Sequence, residues 1–80
     1  MNDFEDGKRI MFVENVEVVR ISSGAVLVRQ KNQTGTAEFW CPKSQIDEDS
    51  EITEDSEPGD EGTLAIPKWL ADKNDLSYVD

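Results

Sequence analysis

The first half of the chain alternates apolar and polar residues with a period of two, which predicts β-strands with one buried face. Residues 9–22 predict the first strand region, in which β-branched residues dominate. Residues 11–13 could form a short separate strand that ends at Glu14-Asn15. The alternation changes phase between Val18 and Val19, which indicates a β-bulge or a strand that is buried on both faces.

Two further strands are predicted at residues 25–31 and 36–41, each preceded by a turn signal that contains a glycine, Gly24 or Gly35. Strands joined by such short turns pair as neighbours, so we predict a three-stranded antiparallel meander. One face of the third strand would carry Ala37, Phe39 and Cys41. Trp40 would then face the opposite way.

The stretch from Trp40 to Ile46 marks the end of the meander. Pro42 cannot donate a ladder hydrogen bond, and the residues after it suit a single 3₁₀ turn, with Ile46 returning to the core. Residues 63–66 predict a closing strand, followed by a short helix with Pro67 at its first position and Asn74 as its C-cap. The single domain therefore divides into a frayed start (1–8), a β-meander (9–46), an acidic loop (47–61) and a closing strand with a short helix (62–80).

Residues 47–61 differ in composition from the rest of the chain. Nine of these fifteen residues are acidic and none is basic, whereas the whole chain has 18 acidic and 8 basic residues and a net charge of −10. The other 65 residues are therefore close to neutral. Ile52 is the only strongly apolar residue of the segment, so we expect a mobile loop, with a short strand at Ile52-Thr53.

The residue types present exclude several kinds of chemistry. The chain has no histidine and one cysteine, Cys41, which removes the common nucleophile–base pairs and an intrachain zinc site. Residues 47–51 begin like a calcium-binding EF-hand loop, but Ile52 and Pro58 occupy positions that the loop needs for Gly and Glu. We therefore predict no enzyme, no cofactor and no metal, and a buried structural role for Cys41. The absence of a signal peptide, a membrane span or a disulfide favours the cytoplasm of a bacterial host.

Two kinds of residue are candidates for interaction. The tryptophans Trp40 and Trp69 are expected to approach one another, with at least one of them in the core. The acidic loop would attract a protein partner with a basic surface, either by steering or by imitating the phosphates of a nucleic acid. The candidate carboxylates are Asp47, Glu48, Asp49, Glu51, Glu54, Asp55 and Glu57.

Two resemblances add to this interpretation. The pattern W-x-P-x-S-x-I at residues 40–46, placed after a meander, resembles the strand–3₁₀–strand corner of SH3-like barrels, which implies a small antiparallel barrel. The aromatic residues of an SH3 proline-peptide groove are not found, so that ligand preference is not carried over. Together with the acidic linker and the pattern L-x-I-P-x-W-L-A at residues 64–71, the chain is similar to small uncharacterised bacteriophage and prophage proteins. This second resemblance covers residues 16–76 and implies a genomic setting rather than a mechanism.

Our prediction is thus a mainly β, SH3-like protein that acts as a non-catalytic, phage-type interaction module. It would bind a host or phage protein, as an inhibitor or nucleic-acid mimic if the acidic loop makes the contact. The net charge disfavours direct nucleic-acid binding and anionic membranes. The alternative is an accessory protein of phage replication or recombination that binds single strands through Trp40 and the neighbouring bases Arg20, Arg29 and Lys31. An exposed meander edge would also permit a homodimer.

Overall fold

Four antiparallel strands and two short helices make up the part of the chain that the computed structural model describes, residues 7–32 and 35–79. In chain order they are β1 (Ile10–Ile21), β2 (Ala25–Asn32), β3 (Gly35–Pro42), a 3₁₀ helix (Lys43–Gln45), β4 (Glu61–Pro67) and α1 (Lys68–Lys73). The mainly β composition, the 3₁₀ turn and the short helix near the C-terminus are confirmed. Most of the predicted frayed start and the turn residues 33–34 lie outside the described residues.

The strands form one sheet in the order β3-β2-β1-β4, with every neighbouring pair antiparallel. This confirms the predicted meander of β1, β2 and β3. The predicted closed barrel is not confirmed, because β3 and β4 do not pair with each other within the described residues and the sheet remains open. β1 is shared by two partners: its first part pairs with β4 and its last part with β2, which leaves β3 and β4 as the two edges.

β1 contains two irregularities. The register against β2 shifts between Val18 and Arg20, which confirms the predicted bulge. The register against β4 shifts between Val13 and Val16, and Asn15 there has a positive φ of 61°. Asparagine tolerates this left-handed conformation better than most residues, so the strand continues through a bulge where the sequence predicted a break.

The core is built from the inward faces of all four strands together with residues from the acidic segment, α1 and the tail. Ala37, Phe39 and Cys41 face inward from β3 as predicted, with Ala37 only partly buried. Ile46 packs against the core and is half-buried. Buried core residues are Val13, Val16, Val18, Val26, Val28, Phe39, Cys41, Ile52, Leu64, Ile66, Leu70, Ala71 and Leu76.

The helix α1 turns the chain back toward β1. Pro67 is its N-cap rather than its first residue, and Asn74 is the C-cap, as predicted. Beyond the helix, Val79 forms an antiparallel bridge with Phe12, in which the two backbones exchange hydrogen bonds of 2.8 and 2.9 Å. The tail therefore lies along the part of β1 that β2 does not reach.

Gln30 holds this tail in place. Its side chain is 4% exposed. The amide Nε2 donates to the carbonyl oxygens of Glu14 (2.9 Å) and Ser77 (2.8 Å), and Oε1 accepts from the Ser77 N–H (2.9 Å). One buried amide thus joins β1, β2 and the tail, with its donors and its acceptor satisfied.

Candidate functional site

The acidic segment lies along the outer edge of β4. The Asp47 N–H donates to the Ala65 carbonyl at 2.8 Å, and the N–H groups of Glu51 and Ile52 donate to the Thr63 carbonyl at 2.9 and 3.1 Å. Ile52 is 1% exposed and belongs to the core. The segment is therefore anchored rather than free, although the predicted strand at Ile52-Thr53 is wrong, since the backbone there is irregular.

Side chains of the segment complete this pairing. The Ser50 hydroxyl accepts from the Ala65 N–H at 3.0 Å and donates to the Ile52 carbonyl, while the Glu51 carboxylate accepts from the Thr63 N–H at 2.8 Å. Both backbone groups of Thr63 and of Ala65 are therefore satisfied. Composition alone predicts mobility and does not anticipate these contacts, because nothing in the local pattern distinguishes Ser50 from the polar residues around it.

The seven candidate carboxylates have different surroundings. Glu51 binds β4, and the Asp47 carboxylate accepts from the Asp49 N–H at 3.0 Å within a local turn. The other five are exposed, and no hydrogen bond or ion pair of their carboxylates is found within the described residues: Glu48, Asp49, Glu54, Asp55 and Glu57.

Part of the segment surrounds a shallow groove of about 330 Å³. Its lining includes the acidic residues Asp47, Glu48, Glu54 and Asp55, together with Lys43 and Ile46. Lys43 directly follows β3, so the groove begins where that edge strand ends. In residues 7–32 and 35–79, no three side chains of the His, Cys, Asp and Glu types converge into a metal site.

The two tryptophans lie on different elements. Trp40 is on β3 and is 48% exposed, whereas Trp69 is on α1 and is 43% exposed. The prediction that at least one is a core residue is therefore wrong. β3 is one edge of the sheet, and α1 follows β4 at the other edge. That the two indole rings approach one another stays a prediction.

Trp40 belongs to an outward-facing surface of the meander that we call the Trp40 face. The cross-strand register aligns Trp40 with Leu27, and Leu27 with Arg20. The next row aligns Glu38 with Arg29, and Arg29 with Glu17. The alternation along β2 adds Lys31, so the face consists of Glu17, Arg20, Leu27, Arg29, Lys31, Glu38 and Trp40.

The Trp40 face brings together the aromatic and basic residues singled out from the sequence. Its charges nearly cancel, because Glu17 and Glu38 flank Arg29, and the Arg29 Nε lies 3.1 Å from the Glu38 carboxylate. What remains is an exposed indole beside Leu27 with a polar surround. This composition is typical of a protein-binding surface, in which an aromatic anchor is surrounded by polar residues.

The backbone of β3 has one side that pairs with β2 and a second side that faces away from β2. The Lys43 N–H donates to the Gly24 carbonyl at 3.0 Å, which fixes the phase of the β2–β3 ladder. Because hydrogen-bonding pairs alternate along an antiparallel ladder, the backbone groups of Thr36, Glu38 and Trp40 point away from β2. Within the described residues these groups have no backbone partner.

Cys41 is not part of any of these surfaces. It is fully buried in the core, and burial raises the pKa of its thiol to about 12. The predicted buried, structural cysteine is therefore confirmed. A thiol with this pKa is protonated at neutral pH, so it does not supply a thiolate nucleophile there.

Comparisons with known proteins identify no relative. No family model matches the chain, and neither a curated protein nor a solved structure matches it significantly. The resemblance to phage and prophage proteins therefore stays a prediction, as does the cytoplasmic location. None of the helices in the described residues has the length and apolar character needed to cross a membrane.

Proposed function

We propose that this chain is a non-catalytic interaction module that binds a protein partner through complementary, basic charge. The observation that carries the proposal is the anchored acidic segment. Ile52 in the core and the hydrogen bonds to Thr63 and Ala65 hold its backbone, while five carboxylates are exposed and have no partner among the residues that the structure describes. A charged surface held in one arrangement binds with less loss of conformational freedom than a loop that must first become ordered.

The distribution of charge supports a steering role. The segment supplies almost all of the net charge of −10, so the electrostatic field is concentrated on one side of β4. Concentrated charge of one sign speeds the approach of an oppositely charged partner and repels nucleic acid. Spaced carboxylates on a fixed backbone also suit a mimic of nucleic-acid phosphates, which would make the partner a nucleic-acid-binding protein.

The proposal includes the setting and the finer fold that the sequence resemblances implied. A meander followed by a 3₁₀ helix and a closing strand that pairs with β1 is the element order of an SH3-like protein. That order supports an open relative of the barrel. A phage or prophage protein that acts in the bacterial cytoplasm on a host or phage partner is consistent with this small, acidic chain.

The test compares two variants with equal net charge. Glu54→Gln/Asp55→Asn removes two charges from the segment, and the control Glu14→Gln/Asp75→Asn removes two exposed charges outside the segment and the Trp40 face. Partners are recovered by affinity purification from a lysogenic or infected host, at low and at high salt. We expect the segment variant to lose partner recovery at low salt and the control variant to keep it. Equal recovery by both variants and the unmodified chain would refute charge steering by the segment.

A second function, single-strand nucleic-acid binding, is favoured by one observation. The sheet register places Trp40, Arg20, Arg29 and Lys31 on one face, as that function requires. The Glu38–Arg29 ion pair and the net negative charge oppose it. A Trp69→Phe variant leaves Trp40 as the only tryptophan, so quenching of its fluorescence by oligonucleotides at low salt decides the matter. Unchanged fluorescence removes this alternative.

A further inference from the structure

We infer that the open edge of β3 binds an extended segment of the basic partner as a fifth strand, with Trp40 of this chain as the anchor. The Lys or Arg residues of the partner segment would lie past the end of β3 at which Pro42 stands. This inference rests on the proposed function, and it identifies the surface and the form of the partner. Strand addition to a free sheet edge is a recurring mode of peptide recognition, in which backbone hydrogen bonds supply affinity and neighbouring side chains supply specificity.

The two edge strands of the sheet, β4 and β3, differ in whether another segment of the chain covers them. The β4 edge is covered: both backbone groups of Thr63 and Ala65 are bound by the acidic segment. No corresponding segment covers β3 within the described residues. Proteins usually protect exposed edges, because an open edge pairs with other chains. β3 has one charged residue, Glu38, and a terminal Pro42, but it also carries an exposed tryptophan in between.

The geometry defines the length of the added strand. The outward residues Thr36, Glu38 and Trp40 each offer one N–H donor and one carbonyl acceptor. Pro42 has no N–H, so the donors end at Trp40. A partner segment of about five to seven residues in extended conformation would satisfy all three residues.

Side chains around Trp40 favour one kind of residue on the partner. Trp40 and Leu27 are cross-strand neighbours on the outward face, and the indole is 48% exposed. A β-branched or aromatic residue of the added strand, placed next to Trp40, would cover the indole on its open side. The Glu38–Arg29 pair lies one row away and provides a polar border.

The position of the acidic groove determines at which end of the bound segment basic residues are favoured. The groove lined by Lys43, Asp47, Glu48, Glu54 and Asp55 begins directly after β3. A strand that runs along β3 and continues past Pro42 therefore enters a strongly acidic surface. Lys or Arg residues at that end of the segment gain from the attraction, while the same residues at the Thr36 end do not.

A second copy of this chain is a poorer occupant of the same edge. Each copy has a net charge of −10, so two copies repel one another. Two-fold pairing of β3 with itself about Glu38, the middle outward residue, would also set Glu38 opposite Glu38 of the second copy. Like charges directly opposite each other in a sheet are destabilising. The charge therefore favours a basic partner over self-association.

The experiment uses the whole chain and a random library of peptides about ten residues long, a length that spans the β3 edge. Peptides are selected by binding, and the binding of the best peptide is followed by amide hydrogen exchange. We expect the peptide to slow exchange at the N–H groups of Thr36, Glu38 and Trp40. The N–H groups of Ala37, Phe39 and Cys41 already face β2 and should change little.

Two tryptophan variants give a matched control, because the two side chains are similarly exposed. Trp40→Ala should weaken the selected peptide about tenfold or more, and Trp69→Ala should change its affinity by less than about twofold. Selected peptides should carry Lys or Arg toward one end, and Glu54→Gln/Asp55→Asn should weaken them. Failure to select any peptide, or equal effects of the two tryptophan variants, would overturn the proposal.

Other outcomes separate this inference from the proposed function. Loss of binding in the segment variant, without protection of the three β3 amides, leaves charge-based partner binding intact and rejects strand addition. Slower exchange at these amides that grows with protein concentration and needs no peptide identifies a second copy as the occupant, which also rejects the inference. Peptides that bind without regard to either site reject both proposals.

Discussion

Replacing Gln30 by Glu tests the contact that holds the C-terminal tail. The change leaves the size of the side chain almost the same and converts the amide Nε2 into a carboxyl oxygen. In the native protein Nε2 donates to the carbonyl oxygens of Glu14 and Ser77, at 2.9 and 2.8 Å. In the ionised Gln30→Glu variant, an oxygen would face these two oxygens in a buried site. Only the hydrogen bond from the Ser77 N–H would remain.

The size of the effect follows from the ionisation of the new carboxyl group. Burial and the two facing carbonyls disfavour the charged form, so the carboxyl pKa in the folded variant rises above the ordinary value of about 4.3. The loss of stability that ionisation causes is absent below that ordinary pKa and grows as the pH rises toward the folded-state pKa. A smaller loss remains at low pH, because the protonated carboxyl has one O–H donor for the two carbonyls. A rise of about 2–3 pKa units lowers the free energy of unfolding by about 3–4 kcal/mol at pH 8 and by roughly half of that at pH 5.5. Because domains of this size are stable by only about 4–12 kcal/mol, the effect is large.

The measurement is urea denaturation followed by circular dichroism, at both pH values. The matched control is Gln45→Glu, which adds the same charge on the half-buried 3₁₀ helix and should change stability by less than about 1 kcal/mol at either pH. Gln30→Glu should also speed amide exchange at Ser77 and Val79 at the higher pH. A loss that does not depend on pH, or one no larger than that of the control, would refute the donor role of the Gln30 amide.

Three further predictions concern buried and paired side chains. Ile52→Ala should lower the free energy of unfolding by about 2–4 kcal/mol and speed amide exchange across residues 47–61. The control Ile21→Ala, at a site that is 38% exposed, should have a much smaller effect. Equal losses of stability in the two variants would contradict the anchoring role of Ile52. Because burial raises the pKa of Cys41 to about 12, its thiol should react with thiol reagents at neutral pH only after denaturation, and rapid labelling of the native protein would contradict this. Hydrogen bonds from Lys68 and Tyr78 hold the pKa of Asp72 below its usual range, so Tyr78→Phe should raise that pKa in an NMR titration. Because Asp72 is exposed, the free energy of unfolding should change little. An unchanged Asp72 pKa would contradict the hydrogen bond from Tyr78.

Local alternation was sufficient to predict the meander and its faces. Residues such as Val26, Val28 and Phe39 alternate with polar residues, and successive side chains of a strand point to opposite faces whatever the rest of the fold does. The same phase places Gln30 on the buried side. Its partners, Glu14 and Ser77, are distant in sequence, so its role required the structure.

The acidic segment shows where composition misleads. Its charge predicted a mobile loop, because such a segment has little apolar surface to bury. Ile52 and Ser50 help to hold it, since each meets a partner already placed by β4. Ser50 bonds to Ala65, which is 15 residues away in the chain. Contacts over such separations are not expressed in local periodicity.

By itself the sequence determined the strands, the inward face of β3, the bulge near Val18 and the concentration of negative charge in residues 47–61. These features depend on residue type and on neighbours within a few positions. Only the tertiary structure decided that, among the residues it describes, the sheet is open, the acidic segment covers β4 and no segment covers β3 beside Trp40. The physical reason is that each backbone edge is completed by hydrogen bonds from another part of the chain, and whether that part reaches the edge is set by the path of the whole chain in space.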